Sequence, residues 1–328
     1  MTRASPLLPT TTKSPSRPMS ESPSSAMNPA TKERLDGWLT ERRVLIDEAL
    51  RRFLPTPARW PHRLHEAMCW SLFGGGKRLR PLLALAAFEA VGGRQERSYD
   101  AVLPAACAVE MIHTYSLLHD DLPCMDDDDE RRGRPTCHIR FGEGLALLAG
   151  DALLTEAFRV ALDPTHYRGL ANAEQIGTVA GRLATAAGMS GMVGGQSSDL
   201  GFEGPIDTED SLTFLHRRKT GELFAFSLFA GAVLGGGSPE QVQALSEYGE
   251  TLGLAFQVAD DLLDARQDQT ERAPEADETP SFPALLGLEN SWERALELER
   301  RAHDQLELFG EQGELLAALV SFAVHRDH

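Results

Sequence analysis

The chain has 328 residues, of which 42% are hydrophobic, and a formal net charge of −17 at pH 7. This length is enough to bury one large core or two small ones. The acidic balance argues against nucleic acid as the main partner, because a phosphate backbone needs a basic face, but it leaves room for a small phosphorylated ligand held by a few local cations.

Residues 1–30 differ in composition from the rest of the chain. They are crowded with Ser, Thr and Pro and have no helical period, which is typical of a disordered tail. A Ser-rich and acid-poor start also fits a transit peptide, so this alternative stays open. We expect the folded domain to span 31–328.

Beyond the tail, apolar residues recur three and four apart nearly everywhere, which predicts an all-α fold. Alternating β-type runs with hairpin turns are absent. The polar segment 266–283 is interrupted by prolines and is predicted to be a long loop. The predicted helices cover 33–54, 62–73, 98–119, 144–161, 174–190, 210–235, 240–266, 291–309 and 313–325.

The four cysteines and the longest apolar run indicate in which cellular compartment the chain is expected. The cysteines form no CxxC pair, which favours reduced thiols in a cytoplasmic protein. The richest apolar stretch, 81–91, is too short to span a bilayer, so we predict no transmembrane helix.

A first cluster of carboxylates follows an apolar helical stripe. The segment 109–121 runs as a stripe directly into Asp120 and Asp121. Pro123 then disturbs the helix, and Asp126 follows. Hard oxygen ligands of this kind suit Mg²⁺ that is shared with substrate phosphates.

A second cluster lies in FQVADDLLD at 256–264. Asp260 and Asp264 are four residues apart and therefore share a helix face, with Asp261 beside them. Like charges at this spacing are tolerable on a solvated face or around a bound cation. Because largely apolar residues precede the cluster, as in a buried helix, we favour a cavity over a solvated face.

Three basic clusters alternate with the two Asp clusters along the chain. They are GGGKRLRP at 74–81, the pair Arg131 and Arg132, and HRRKTG at 216–221. Arg makes forked contacts to phosphate and Lys provides a point charge. Each cluster alone would be read as solvated surface, but their interleaving with carboxylates indicates a polyphosphate site.

These motifs together resemble those of the trans-isoprenyl diphosphate synthases, and the chain looks most like the bacterial farnesyl diphosphate synthase (geranyltranstransferase) branch. The resemblance runs from about residue 31 to the end. It rests on GGGKRLRP, IHTYSLLHDDLPCMDDDDERRGRPTCH, GDALLTEAF, GMVGGQSSDL, HRRKTGELF, FQVADDLLD and PALLGLE, in that order.

The resemblance implies an all-α helical bundle with a deep central cavity, assembled as a homodimer. It implies that isopentenyl diphosphate condenses with an allylic diphosphate, dimethylallyl or geranyl, to give farnesyl diphosphate. Three Mg²⁺ ions, for which Mn²⁺ substitutes, would neutralise the leaving diphosphate, and apolar walls would protect the allylic cation from water.

The resemblance also assigns roles to residues of this chain. Asp120, Asp126 and Asp260 would hold metal directly, with Asp264 supporting them or acting through water. Asp121 and Asp261 would be ligands or supporting residues. The allylic diphosphate and the reaction centre would be served by Arg131, Lys219, Thr220 and Gln257, and isopentenyl diphosphate by Gly76, Lys77, Arg80, His113 and Arg132.

The helix before Asp120 bears on product length. A growing isoprenoid tail runs along this helix and first meets residues one turn before Asp120, which are Tyr115 and Ser116. By resemblance, an aromatic ring here together with the longer first Asp motif goes with C15 products. Alternatively, Tyr115 packs only against a neighbouring helix.

One position departs from the family pattern. A Lys usually lies four residues before the Pro that starts PALLG, and this chain has Thr279 there. The only bases between 265 and 283 are Arg266 and Arg272. One diphosphate contact is therefore missing, or Arg272 provides it.

Other functions stay open. A geranylgeranyl diphosphate synthase would share every motif. A terpene cyclase would not need the isopentenyl diphosphate site, so the intact Lys77, Arg80, His113 and Arg132 argue against it. A silent synthase subunit should have lost carboxylates from one Asp motif, and this chain has not.

Overall fold

The computed structural model describes residues 28–54, 56–93, 98–271 and 280–326, without side-chain detail for 267–271. Within these ranges the chain is all-α apart from one short hairpin, which confirms the predicted fold class. The helices are α1 (Pro29–Phe53), α2 (His62–Leu72), α3 (Leu79–Ala90), α4 (Leu103–Asp120), α5 (Cys137–Phe141), α6 (Glu143–Leu162), α7 (Ala173–Ala187), α8 (Met192–Asp199), α9 (Glu209–His216), α10 (Glu222–Gly235), α11 (Pro239–Glu271), α12 (Phe282–Leu286), α13 (Leu288–Gln305) and α14 (Glu314–Val324).

Helices α4 and α10 form the centre of the bundle. Helix α4 packs against α3 and α6, while α10 packs against α3 and α11. Both are apolar almost all round, which is the pattern of a helix buried on every side. The approach of α10 to α3 requires Gly231, because a Cβ there would lie 2.1 Å from the carbonyl oxygen of Ala84.

The structure departs from the sequence prediction in several places. Four helices of the described residues, α3, α5, α8 and α12, were not among the predicted helices. The hairpin of β1 (Glu130–Arg131) and β2 (Arg134–Pro135) was not predicted, because strands of two residues show no alternation. The predicted helix 210–235 is divided by a π-helical turn at Arg217–Gly221. Helix α11 continues to Glu271, so the first residues of the predicted loop 266–283 are helical.

The ends of the described ranges bear on the remaining predictions. Helix α1 begins at Pro29, and the side chain of Asn28 accepts a hydrogen bond from the backbone NH of Ala30. The tail prediction falls mostly on 1–27, which lie outside the described residues, as do Arg272 and Thr279. Among the described residues, no helix is both long and apolar enough to cross a membrane.

Candidate active site

A cavity of about 980 Å³ opens between α4, α8, α11, the hairpin and the loop before α3. The central helix α4 ends inside it, so the first Asp cluster lies at its wall. Most of the site residues predicted from the sequence line this one cavity: Gly76, Lys77, Arg80, His113, Tyr115, Asp120, Arg131, Arg132, Lys219, Thr220, Gln257 and Asp260.

Four predicted carboxylates do not line the cavity. Asp126 and Asp264 are exposed, whereas Asp121 and Asp261 are directed to other partners. Among the described residues no three metal-binding side chains converge on one point. This arrangement differs from a protein cage for a metal.

Asp120 lies in the cavity wall with only 9% of its surface exposed. Burial raises the pKa of Asp120 to about 6, and the neighbouring Asp126 and Asp121 add repulsion. The positive charges of Lys219 and Arg131 lower this pKa. A desolvated carboxylate beside like charges is a site that a cation would stabilise, so the residues present fit a divalent metal.

Asp121 holds an arginine of the hairpin in place. Its Oδ1 accepts a hydrogen bond from Nε of Arg131 over 2.6 Å, and Asp128 accepts a second one from the same guanidinium over 3.1 Å. Burial raises the pKa of Asp121 and the Arg131 partner lowers it. Asp121 therefore orients Arg131 at the wall of the cavity.

The second Asp motif has a partner that the sequence did not reveal. Arg326 donates a hydrogen bond to the carboxylate of Asp260 and another, over 3.1 Å, to the carbonyl oxygen of Phe256. Its guanidinium carbon lies 3.8 Å from the centroid of the Phe256 ring, and only 5% of its side chain is exposed. No motif marks Arg326, so its approach to the cavity could not be predicted.

Asp261 is directed away from the cavity. Its Oδ2 accepts a hydrogen bond of 2.9 Å from the backbone NH of Phe282, at the start of α12. His216 Nε2 lies 3.8 Å from the same oxygen, and the His216 ring stacks on Phe282. Burial raises the pKa of Asp261 to about 7. This carboxylate of α11 therefore anchors the start of α12.

The loop GGGKRLRP is fixed by the buried residue Arg78, which lies between Lys77 and Arg80. Arg78 adopts a positive φ of 54°. Its guanidinium donates to Asp47 (2.9 Å), to Glu110 (2.9 Å) and to a backbone carbonyl at the end of α2 (2.7 Å). Every branch of this side chain therefore has a partner on a different helix.

The hairpin and the glycine loop meet in one cationic corner. Nη1 of Arg132 donates to the carbonyl oxygen of Gly75 over 2.5 Å. A Cβ at Gly76 would lie 2.7 Å from that nitrogen, and Gly76 also has a φ of +132°, so only glycine fits there. Burial lowers the pKa of His113 well below 6.5, with Arg80 adding to the effect, so its imidazole is neutral at pH 7.

The π-helical turn presents Lys219 and Thr220 to the cavity. Such turns often occur at functional sites. Nζ of Lys219 lies 2.5 Å from Oδ2 of Asp199, and Oγ1 of Thr220 donates to Oε1 of Gln257 over 3.1 Å. A Cβ at Gly195 would lie 2.3 Å from the backbone nitrogen of Lys219. The motif GMVGGQSSDL thus supplies both the close approach and the counterion.

Comparison with known proteins agrees with this geometry. A family model described as "Polyprenyl synthetase" matches residues 62–307. The chloroplastic geranylgeranyl pyrophosphate synthase of Capsicum annuum is 44% identical over 299 residues, covering 89% of this chain and 78% of that protein. The farnesyl diphosphate synthase of Geobacillus stearothermophilus is 40% identical over 299 residues, covering 90% and 98%.

A solved structure shows the same fold. The apo structure of an FPP/GFPP synthase from Zymomonas mobilis superposes with a TM-score of 0.77 at 36% identity, covering 90% of this chain and 99% of that one. The chain therefore belongs to the polyprenyl synthetase family. It is a short-chain prenyltransferase, which condenses isopentenyl diphosphate with allylic diphosphates.

Proposed function

We propose that this prenyltransferase makes farnesyl diphosphate by adding isopentenyl diphosphate to dimethylallyl and then to geranyl diphosphate. The observation that carries the proposal is the position of Tyr115. Its ring lines the cavity one helical turn before Asp120, is 6% exposed, and contacts the His119 ring edge-to-face. An aromatic side chain there closes the path of a tail that grows from the Asp120 end.

The cationic groups divide between the two substrates. Arg80 and Arg132 both act electrostatically on His113. Together with Lys77, which lines the same cavity, they suit the diphosphate of isopentenyl diphosphate, and Gly76 lets that diphosphate approach the backbone. Arg131 and Lys219 lie beside Asp120 and suit the allylic diphosphate, consistent with their electrostatic effect on that carboxylate. Arg132 and Arg131 are adjacent in sequence but contact different neighbours.

We assign Mg²⁺ binding to the two Asp motifs. Asp120 and Asp260 would hold the ions from the cavity wall, with Asp126 and Asp264 at its rim. Bound there, Mg²⁺ would supply the positive charge that stabilises the departing diphosphate. The protein side chains would hold both substrates in line and keep the like-charged carboxylates apart.

The walls of the cavity suit a cationic intermediate. Phe224 and Phe256 line it with their ring centroids 5.6 Å apart, which keeps water away from a reactive allylic cation. Because the Thr220 hydroxyl donates a hydrogen bond to Gln257, the lone pairs of its oxygen remain available to face positive charge. The departing diphosphate would remain among Lys219 and Arg131.

Product analysis tests the proposal. Purified protein incubated with Mg²⁺, isopentenyl diphosphate and each allylic primer should give mainly C15 product by chromatography. Tyr115→Ala should shift the product to C20 or longer, because each added C5 unit buries more apolar surface in the opened space. Tyr115→Phe keeps the ring and should keep C15. A native product of C20 would favour a geranylgeranyl diphosphate synthase, and failure to consume isopentenyl diphosphate would favour a cyclase.

The proposal includes a homodimer built on a catalytic domain that spans 31–328. Apolar side chains on α5 and α6 are exposed, with Ile139 at 51%, Leu147 at 46% and Leu148 at 55%, as expected of a face that a second copy covers. Light scattering on the purified chain should give twice the monomer mass. We also propose a cytoplasmic location, which cell fractionation would test.

A further inference from the structure

His119 lies between the cavity and helix α6. Its Nε2 lies 3.1 Å from the carbonyl oxygen of Leu147 on α6, and His119 is also one of the residues that line the cavity. The rings of His119 and Tyr115 meet edge-to-face with centroids 5.7 Å apart and an interplanar angle of 75°. Tyr115 is therefore supported from the side by His119, one turn further along α4.

The His119 ring occupies a recess made by a glycine. An ideal Cβ at Gly150 would lie 2.2 Å from Nε2 of His119 and 2.5 Å from its Cδ2, closer than any van der Waals contact. Gly150 lies inside α6, where glycine is unfavourable relative to alanine. Its φ is not positive, so it is the neighbouring ring, and not the backbone conformation, that requires glycine here.

We infer that His119, seated in the Gly150 recess, forms the floor of the product cavity jointly with Tyr115 and so helps to set product chain length. This inference rests on the proposed function, since it concerns the tail of the same product. The motif GDALLTEAF then has a role in specificity, because its first residue determines where the ring of His119 can lie.

The two sides of the recess predict opposite changes in product length. Removal of the ring in His119→Ala leaves a void beside Tyr115 that joins the cavity, so a longer tail can enter. A methyl group in Gly150→Ala must displace the ring, and since the backbone of α6 blocks the other direction, the ring moves toward the cavity. The floor then rises, and elongation stops earlier.

The test compares product distributions of four variants with that of the native chain, using isopentenyl diphosphate and dimethylallyl diphosphate. We expect His119→Ala to raise the ratio of C20 to C15 product by about tenfold, and Gly150→Ala to raise the ratio of C10 to C15 product by a similar factor, which corresponds to ~1.4 kcal/mol in relative barrier height. The double variant should lose the C10 product, because the clash disappears with the ring.

Gly144→Ala is the matched control, since it lies in the same helix and its added Cβ would meet nothing within 4 Å. It should leave the product distribution unchanged. If Gly150→Ala does not fold, the double variant should restore folding. The ratio of C20 to C15 product in His119→Ala would then still test the inference. Lower turnover with an unchanged distribution in both His119→Ala and Gly150→Ala would overturn the inference.

Failure of this inference can be separated from failure of the proposed function. If the native chain makes C15 product and Tyr115→Ala lengthens it while the His119 and Gly150 variants do not change it, only the joint floor is wrong. If the native product is not C15, the proposed function is wrong, and shifts of opposite sign in the two variants would still support the floor.

Discussion

Replacing Arg78 with Met tests how the glycine loop is held in place. The side chains of Arg78 and Glu110 are 6% and 5% exposed, and their ion pair is therefore almost fully desolvated. Loss of one member of such a pair leaves a buried charge without its partner and costs roughly 3–5 kcal/mol of unfolding free energy. Asp47, the other partner, has a side chain that is 35% exposed. Asp47→Asn should therefore cost about 1 kcal/mol or less.

The same change should weaken one substrate selectively. Arg78 lies between Lys77 and Arg80. Without its hydrogen bonds the loop no longer holds the side chains of Lys77 and Arg80 at fixed positions in the cavity. We expect the KM for isopentenyl diphosphate to rise about tenfold, close to the loss of one charge-assisted contact. The KM for the allylic substrate should change little, because Arg131 and Lys219 lie on the hairpin and the π-helical turn.

Two measurements check this reasoning. Denaturant unfolding gives the stability of Arg78→Met, with Asp47→Asn as the partial control. Steady-state kinetics with each substrate varied in turn separates the two KM values. An Arg78→Met protein as stable as the native one would refute the role of the buried ion pair. Equal increases in both KM values would refute the positioning role and leave Arg78 a general structural residue.

Chelation with EDTA should abolish turnover, and Asp120→Ala or Asp260→Ala should lower kcat by several orders of magnitude, because each removes a carboxylate that would hold metal; full activity in EDTA would contradict this. Burial lowers the pKa of His216 from 6.5 to about 4, so its contribution to stability is complete above pH 6.5 and is lost as the pH falls toward 4. The loss of unfolding free energy is on the order of 3 kcal/mol. His216→Phe should therefore reduce the fall of Tm between pH 6.5 and pH 4. An unchanged fall of Tm in the variant would show that another group is responsible. If Thr279 marks a lost contact, Thr279→Lys should lower the allylic KM; if Arg272 has replaced it, Arg272→Ala should raise that KM instead. No effect of either change would mean that this segment is not part of the site.

Much of the fold and the cavity wall could be predicted because the signals are local. Helical periodicity depends on neighbours three and four residues apart, so most helices were predicted near their observed bounds. The π-helical turn in 210–235 was missed, because it is tied to the approach of Gly195 from another helix. The hairpin was missed because its strands are only two residues long.

Side-chain partners were harder to predict than side-chain positions. The carboxylates of Asp260 and Asp261 are adjacent in the sequence, yet one faces the cavity and Arg326 while the other holds the backbone of Phe282. Similarly, nothing in the spacing of GMVGGQSSDL indicates that Asp199 would contact Lys219. These partners are far apart in the chain, and the periodicity of the sequence reports only on neighbours three and four residues apart.

The hairpin imposes a constraint on length. Its turn consists of Arg132 and Gly133, both with positive φ, and Arg131 pairs with Arg134 across the strands. Arg131 is the last residue of β1 and Arg132 the first residue of the turn, and their guanidinium groups diverge: Arg131 reaches the first Asp motif while Arg132 reaches the glycine loop. Inserting one residue within this hairpin would shift the pairing of its two strands and would separate Arg131 from Asp121 or Arg132 from Gly75. Insertions or deletions of a single residue should therefore be far more damaging here than substitutions at the exposed positions of the same segment.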